Sequence, residues 1–184
     1  MYEYIYQAGQ AGHPVFILLH GTGGDEHDLL PVAEVLDMEA GILSIRGNVS
    51  ENGMNRFFKR HGEGNYDVED LMRRGQELYE FIEEKSEEHG FSLEDAVYFG
   101  FSNGANIAIN MLLLDESRIN KAMLYAPMYP IDVEGTVDLP DTKVFLSMGE
   151  NDPIVPVRES ERLISIFNGD NLLAGKKWLE ALTK

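Results

Sequence analysis

Apolar residues in this chain come in short unbroken runs, and most runs end at glycine or in a polar loop. Val15-Phe16-Ile17-Leu18-Leu19 is continuous over five residues, the pattern of a strand buried on both faces. Ile42-Leu43-Ser44-Ile45, Ala96-Val97-Tyr98-Phe99, Met123-Leu124-Tyr125 and residues 144–148 read the same way. Tyr2-Glu3-Tyr4-Ile5-Tyr6 alternates instead, as an edge strand does. Helical patterning lies between these runs. The spacing predicts helices over about residues 27–36, 67–89, 105–114, 157–167 and 173–182. Asp25 and Pro31 mark the first start and Gly90 the stop of the longest. Residues 46–65, rich in Gly and Asn, read as a loop. Strands alternating with helices make an α/β fold with a mostly parallel sheet, helices on both faces and no separate lid domain.

Two of the loops carry chemistry. Gly100-Phe101-Ser102-Asn103-Gly104 stands between a strand and a helix. In that context G-x-S-x-G lifts a serine hydroxyl to the top of the sheet at a turn too tight for flanking side chains. The bland alternative is a plain strand-to-helix turn. His20-Gly21-Thr22-Gly23-Gly24 directly follows a buried strand. Glycines there let the backbone approach a substrate, and acyl transfer needs N–H groups aimed at an oxyanion. The N–H groups of Thr22 and Asn103 are the candidates. No Lys-Ser or Lys-Thr pair follows, so a phosphate loop is disfavoured. A third strand runs into Gly149-Glu150-Asn151-Asp152-Pro153. Asp152 is the preferred acid, since Pro153 leaves the strand stiffly; Glu150 is its rival, and an ordinary loop is the bland alternative.

These residues together resemble small bacterial α/β-hydrolases of the carboxylesterase/phospholipase group, related to dienelactone-hydrolase-like and acyl-protein thioesterase-like enzymes. Arg46-Gly47-Asn48 and Asn55-Arg56-Phe57-Phe58 complete the matching set. The resemblance implies the α/β-hydrolase fold, a single domain over residues 1–184, Ser102 as nucleophile and Asp152 as the triad acid. It implies hydrolysis of a small carboxylic ester through an acyl-enzyme, with no metal or organic cofactor. Thioester or lysophospholipid cleavage would use the same chemistry. Arg56 and Phe57, in a loop leaving a strand's C-terminal end, are the substrate-binding candidates. Arg56 would meet a substrate carboxylate, and Phe57 and Phe58 would wall an acyl or aromatic pocket; the bland alternative is that one Phe is core and Arg56 structural.

The triad histidine does not carry over, because none of the five histidines follows Ser102. His20 is expected to hold the oxyanion loop by a hydrogen bond rather than act as base. His13 and His61 fall in polar loops, His27 near a helix start and His89 at a helix end, none with metal-ligand spacing. The family places its histidine in a loop after a last strand. Such a strand with its loops needs roughly 15–25 residues, so a segment is expected to be missing between about Gly169 and Ala174. The rival from another class is a catalytically inactive hydrolase fold that serves as a binding module.

Composition narrows the setting. The formal charge of −17 opposes binding to nucleic acid or an anionic membrane. Glu77, Glu80, Glu83, Glu84, Glu87 and Glu88 fall on one helix, as a solvated face. With no cysteine there is no disulfide or thiolate chemistry. No signal peptide or membrane-spanning run is visible, and a cytoplasmic location is the expectation.

Overall fold

A computed structural model describes residues 1–133, 139, 141–148 and 157–167. Six strands form the main sheet: β1 (Tyr4–Gln7), β2 (Val15–Leu19), β3 (Gly41–Ile45), β8 (Val97–Phe101), β9 (Lys121–Tyr125) and β10 (Lys143–Ser147). Their order is β1-β3-β2-β8-β9-β10. All neighbours are parallel except β1, which runs antiparallel to β3. Four short strands make two separate hairpins: β4 (Val49–Glu51) with β5 (Met54–Arg56), and β6 (Arg60–Gly62) with β7 (Asn65–Tyr66). The described helices are α1 (Leu30–Leu36), α2 (Val68–His89), α3 (Asn103–Leu112) and α4 (Val157–Ile166). None of them is long and apolar enough to cross a membrane.

The unbroken apolar runs have a direct physical reason. In β2, Ile17 and Leu19 belong to one buried cluster and Phe16 and Leu18 to the other. A strand covered on both faces cannot alternate apolar with polar. The larger cluster draws on residues of α2, α3 and α4. The smaller one, around Phe16, Leu18, Val97 and Phe99, is joined by residues of α1. Every residue of α3 is buried.

Chain order decides where the site lies. From β2 the chain moves to β3 on one side, then to β8 on the other. The loops after β2 and β8 therefore leave adjacent strand ends where the order reverses, the place where open α/β sheets hold ligands. They carry Thr22 and Ser102.

Two expectations change. The loop at residues 46–65 is two hairpins. Asn52 and Gly53 both have positive φ, 52° and 83°, which a two-residue hairpin turn of the primed type requires. Helix α1 begins at Leu30 rather than near residue 27, because a turn over Asp25–Asp28 precedes it. The helix predicted near 173–182 and the junction at 169–174 lie outside the described residues.

Helix α2 is capped at both ends. Asp67 accepts the N–H of Asp70 at 3.0 Å, and Gly90 closes the helix at φ 73°. Asp67→Ala is expected to cost about 1 kcal/mol, the usual worth of an N-cap side chain, read as a lower urea midpoint with an unchanged m-value.

Candidate active site

Ser102 joins β8 to α3 with φ 50° and ψ −108°. A non-glycine residue rarely adopts positive φ, and such strain gathers at functional sites. Its neighbours explain how the turn survives. The Ser102 N–H donates to the Tyr125 carbonyl at 2.8 Å, and Asn106 N–H donates to the Ser102 carbonyl at 3.0 Å. A Cβ on Gly104 would stand 2.0 Å from the Leu19 carbonyl oxygen, and one on Gly100 would stand 2.7 Å from Ala105 Cα. Both glycines of G-x-S-x-G are thus required by close backbone approach.

Ser102 lines a cavity of about 320 Å³ together with Thr22, Arg56, Arg60, Glu63, Gly64, Tyr66, Phe101 and Asn103. Thr22, Arg56 and Asn103, all picked out from sequence, therefore meet Ser102 there. As the first residue of α3, Asn103 has an N–H that no carbonyl of its own helix can accept. Phe57 is fully buried with its ring 4.8 Å from that of His20, and it does not line the cavity. Asp152 and its rival Glu150 lie outside the described residues.

The segment Asn55–Phe57 ties the two loops together. Gly23 N–H donates to the Asn55 carbonyl at 2.9 Å, and Asn55 Nδ2 donates to the Gly24 carbonyl at 2.9 Å. Arg56 Nη1 donates to Thr22 Oγ1. Phe57 N–H donates to Asn103 Oδ1 at 2.7 Å. Sequence reading passed over this role of Asn55, and over Arg60 and Tyr66 as lining residues. The Asn52-Gly53 pair was the available signal, since it announces a hairpin that brings β5 back to the site.

His20 is 1% exposed and both ring nitrogens are engaged. Nδ1 lies 2.6 Å from the Gly21 carbonyl, and Nε2 accepts the N–H of Gly47 at 2.9 Å. These partners demand the neutral ring with its proton on Nδ1. Burial pushes its pKa below the ordinary value, against the opposing hydrogen bond to Gly21. His20 therefore holds the loop. His13 meets Asp37 and Glu39, His27 meets Asp25, His61 faces Asp67, and His89 stacks on Tyr6. None of the five histidines lines the Ser102 cavity. Asp25, Glu26 and His27 do place ligand atoms within 4.8 Å of one another, although their spacing gave no metal signal. Arg46 already engages Glu26 through Nε and Nη2, at 2.5 and 2.7 Å, so an ion pair accounts for the buried member.

Two outcomes follow from this packing. Gly104→Ala drives a methyl group into backbone and is expected to destabilise the fold by about 3 kcal/mol, measured by urea unfolding. The His20 contribution to stability is fully present above the unfolded pKa of about 6.5. It is lost as pH falls through the depressed folded value. Below pH 6.5 the urea midpoint of the native chain is expected to fall more steeply than that of His20→Gln. Equal slopes would contradict the neutral, doubly bonded ring.

The geometry agrees with comparison to known proteins. The Phospholipase/Carboxylesterase family matches residues 1–171. The putative hydrolase MhqD of Bacillus subtilis is 41% identical over 176 residues, covering 96% of this chain and 88% of the relative. The crystal structure of the Bacillus cereus carboxylesterase superposes with a TM-score of 0.88 at 42% identity, covering 99% of this chain and 92% of that one. The structure of YahD with malic acid follows with a TM-score of 0.87 at 34% identity, covering 100% and 97%. A strained serine between β8 and α3, a glycine loop after β2 and these relatives lead to one assignment: the chain is an α/β-hydrolase-fold member of the phospholipase/carboxylesterase family.

Proposed function

We propose that this hydrolase cleaves carboxylic esters through an acyl-enzyme on Ser102. The observation that carries the reading is the serine at φ 50° on a strand-to-helix turn, opening onto a cavity shared with Thr22 and Asn103. Attack by Ser102 Oγ on an ester carbonyl makes a tetrahedral oxyanion, which the N–H groups of Thr22 and Asn103 receive. Collapse expels the alcohol, and water then releases the acid. Asp152 orients the imidazole that serves as base. Arg56 binds the substrate. Arg56 lines the same cavity as Ser102, which supports a substrate contact. Phe57 acts from behind the cavity, by fixing Asn103 through its N–H. Thioesters and lysophospholipids would follow the same steps.

The imidazole belongs, in this reading, to a segment missing from the sequence between about Gly169 and Ala174. The absence of any histidine from the lining of the Ser102 cavity supports it. Sequencing the coding DNA across residues 168–175 is expected to show added codons including a histidine. An uninterrupted reading frame would sink the missing segment. It would also favour the second reading, an inactive binding module, which the absence of histidine from the cavity supports.

Nitrophenyl esters of graded length test the activity. The native enzyme is expected to release nitrophenol, and Ser102→Ala to lower kcat by about 10³-fold or more, as removal of a serine nucleophile does. Turnover that survives in Ser102→Ala would reject Ser102 as nucleophile.

A further inference from the structure

Two residues that line the Ser102 cavity carry donors without a partner among the described residues. Arg56 is 1% exposed and lines the cavity. Its Nε donates to the Phe58 carbonyl at 3.1 Å and its Nη1 to Thr22 Oγ1. Its Nη2 is buried with no hydrogen-bond partner among the described residues. Asn103, 2% exposed, lines the same cavity. Its Oδ1 is taken by Phe57 N–H, which fixes the amide orientation, and its Nδ2 also has no partner among the described residues. Both unpartnered atoms are buried donors on residues that line the cavity.

The charges are unbalanced in the same direction. Arg60, on the same cavity, engages both oxygens of Glu51 through Nε at 3.0 and 2.9 Å. Arg56 Nε reaches that carboxylate only at 3.5 Å. Two guanidinium groups thus share the half-buried carboxylate of Glu51. Glu63, the acid that lines the cavity, is exposed. A buried charge is costly unless paired, and a guanidinium cannot escape the cost by losing its proton. Burial, followed by the repulsion from Arg60, lowers the proton affinity of Arg56, which is the signature of a cation short of an anion. The whole chain carries −17, so a cationic surplus beside Ser102 stands against the general field.

We propose that the Ser102 cavity is built for a short ester carrying a free carboxylate, which Arg56 and the side-chain amide of Asn103 hold. Guanidinium and carboxylate match in shape and charge. The cavity, at about 320 Å³, is near the small end of ligand sites, which span roughly 300–1,000 Å³, and suits a short ester. The carboxylate can sit on the acid side of the ester, as in a half-ester of a dicarboxylic acid, or on the alcohol side, as in an acylated hydroxy acid. This class rests on the ester-hydrolase reading, but recognition of the anion is separable from catalysis.

Binding is measured with glutarate by calorimetry in a carboxylate-free buffer. The native chain is expected to bind it, with affinity at least tenfold weaker in Arg56→Gln and in Asn103→Asp. The second variant keeps an oxygen for Phe57 N–H while placing a negative charge at the anion site, so it decides the matter if Arg56→Gln fails to fold. Absence of glutarate binding to the native chain, or unchanged affinity in a folded variant, overturns the proposal. Turnover is then compared by pH-stat for monoethyl glutarate against ethyl pentanoate, and for O-acetyl glycolate against propyl acetate. A kcat/KM preference of tenfold or more for one anionic ester, reduced in Arg56→Gln, supports the proposal and tells which side bears the carboxylate. Cleavage of neutral esters with no anionic preference leaves the hydrolase standing and removes this substrate class. Glutarate binding without cleavage of any ester does the reverse.

Discussion

The site depends on three consecutive residues, Asn55 to Phe57, at the end of β5, bridging two loops that are far apart in sequence. The loop after β2 supplies Thr22, and the turn after β8 supplies Ser102 and Asn103. Nothing in the parallel ladder between β2 and β8 sets the distance between these loops beyond the strand ends. The Asn55 carbonyl takes Gly23 N–H, and the Phe57 N–H goes to Asn103 Oδ1. Arg56, between them, donates to Thr22 Oγ1. These bonds are buried or half-buried, where a lost partner leaves a desolvated polar group costing roughly 1–3 kcal/mol. The bridge therefore resists the loosening of any single contact. It also explains Gly47, where a Cβ would stand 2.4 Å from the Arg56 carbonyl group. His20 fastens the same corner, linking the Gly21 carbonyl to Gly47 N–H.

Holding the two loops with an arginine has an electrostatic consequence. A neutral residue at position 56 would hold Thr22 without leaving a buried positive charge. With Glu51 committed to Arg60 through both oxygens, the guanidinium of Arg56 remains undercompensated. A cavity that opens at a serine and ends at such a cation matches an ester with an anionic end.

Much of this was readable from the chain. Continuous apolar runs marked the parallel strands because both sheet faces are covered, and their polar ends marked the site edge. Gly100 and Gly104 were legible because a strand, a serine and a helix fix what the intervening backbone must do. Arg56 was legible as a substrate-binding candidate from its place on a loop leaving a strand and from the family resemblance. Its burial and its bond to Thr22 depend on long-range contacts between residues 34 positions apart, which no local pattern encodes. Phe57 illustrates the same limit: an aromatic beside a site reads as a pocket wall, yet its ring packs inward against His20. The hairpins at 49–66 escaped because strands of two or three residues carry no periodicity. Asn52-Gly53 announced the first of them nonetheless. Asp152 lies outside the described residues, so the acid rests on its order in the chain.

The central claim is that this bridged corner holds Ser102 as the residue that becomes acylated. Rapid acid quench during turnover of p-nitrophenyl acetate, followed by peptide mass spectrometry, addresses it directly. One acetyl group is expected on the peptide containing Ser102, absent from Ser102→Ala. Acetyl groups on another side chain, or steady ester turnover with Ser102 never modified, would contradict it.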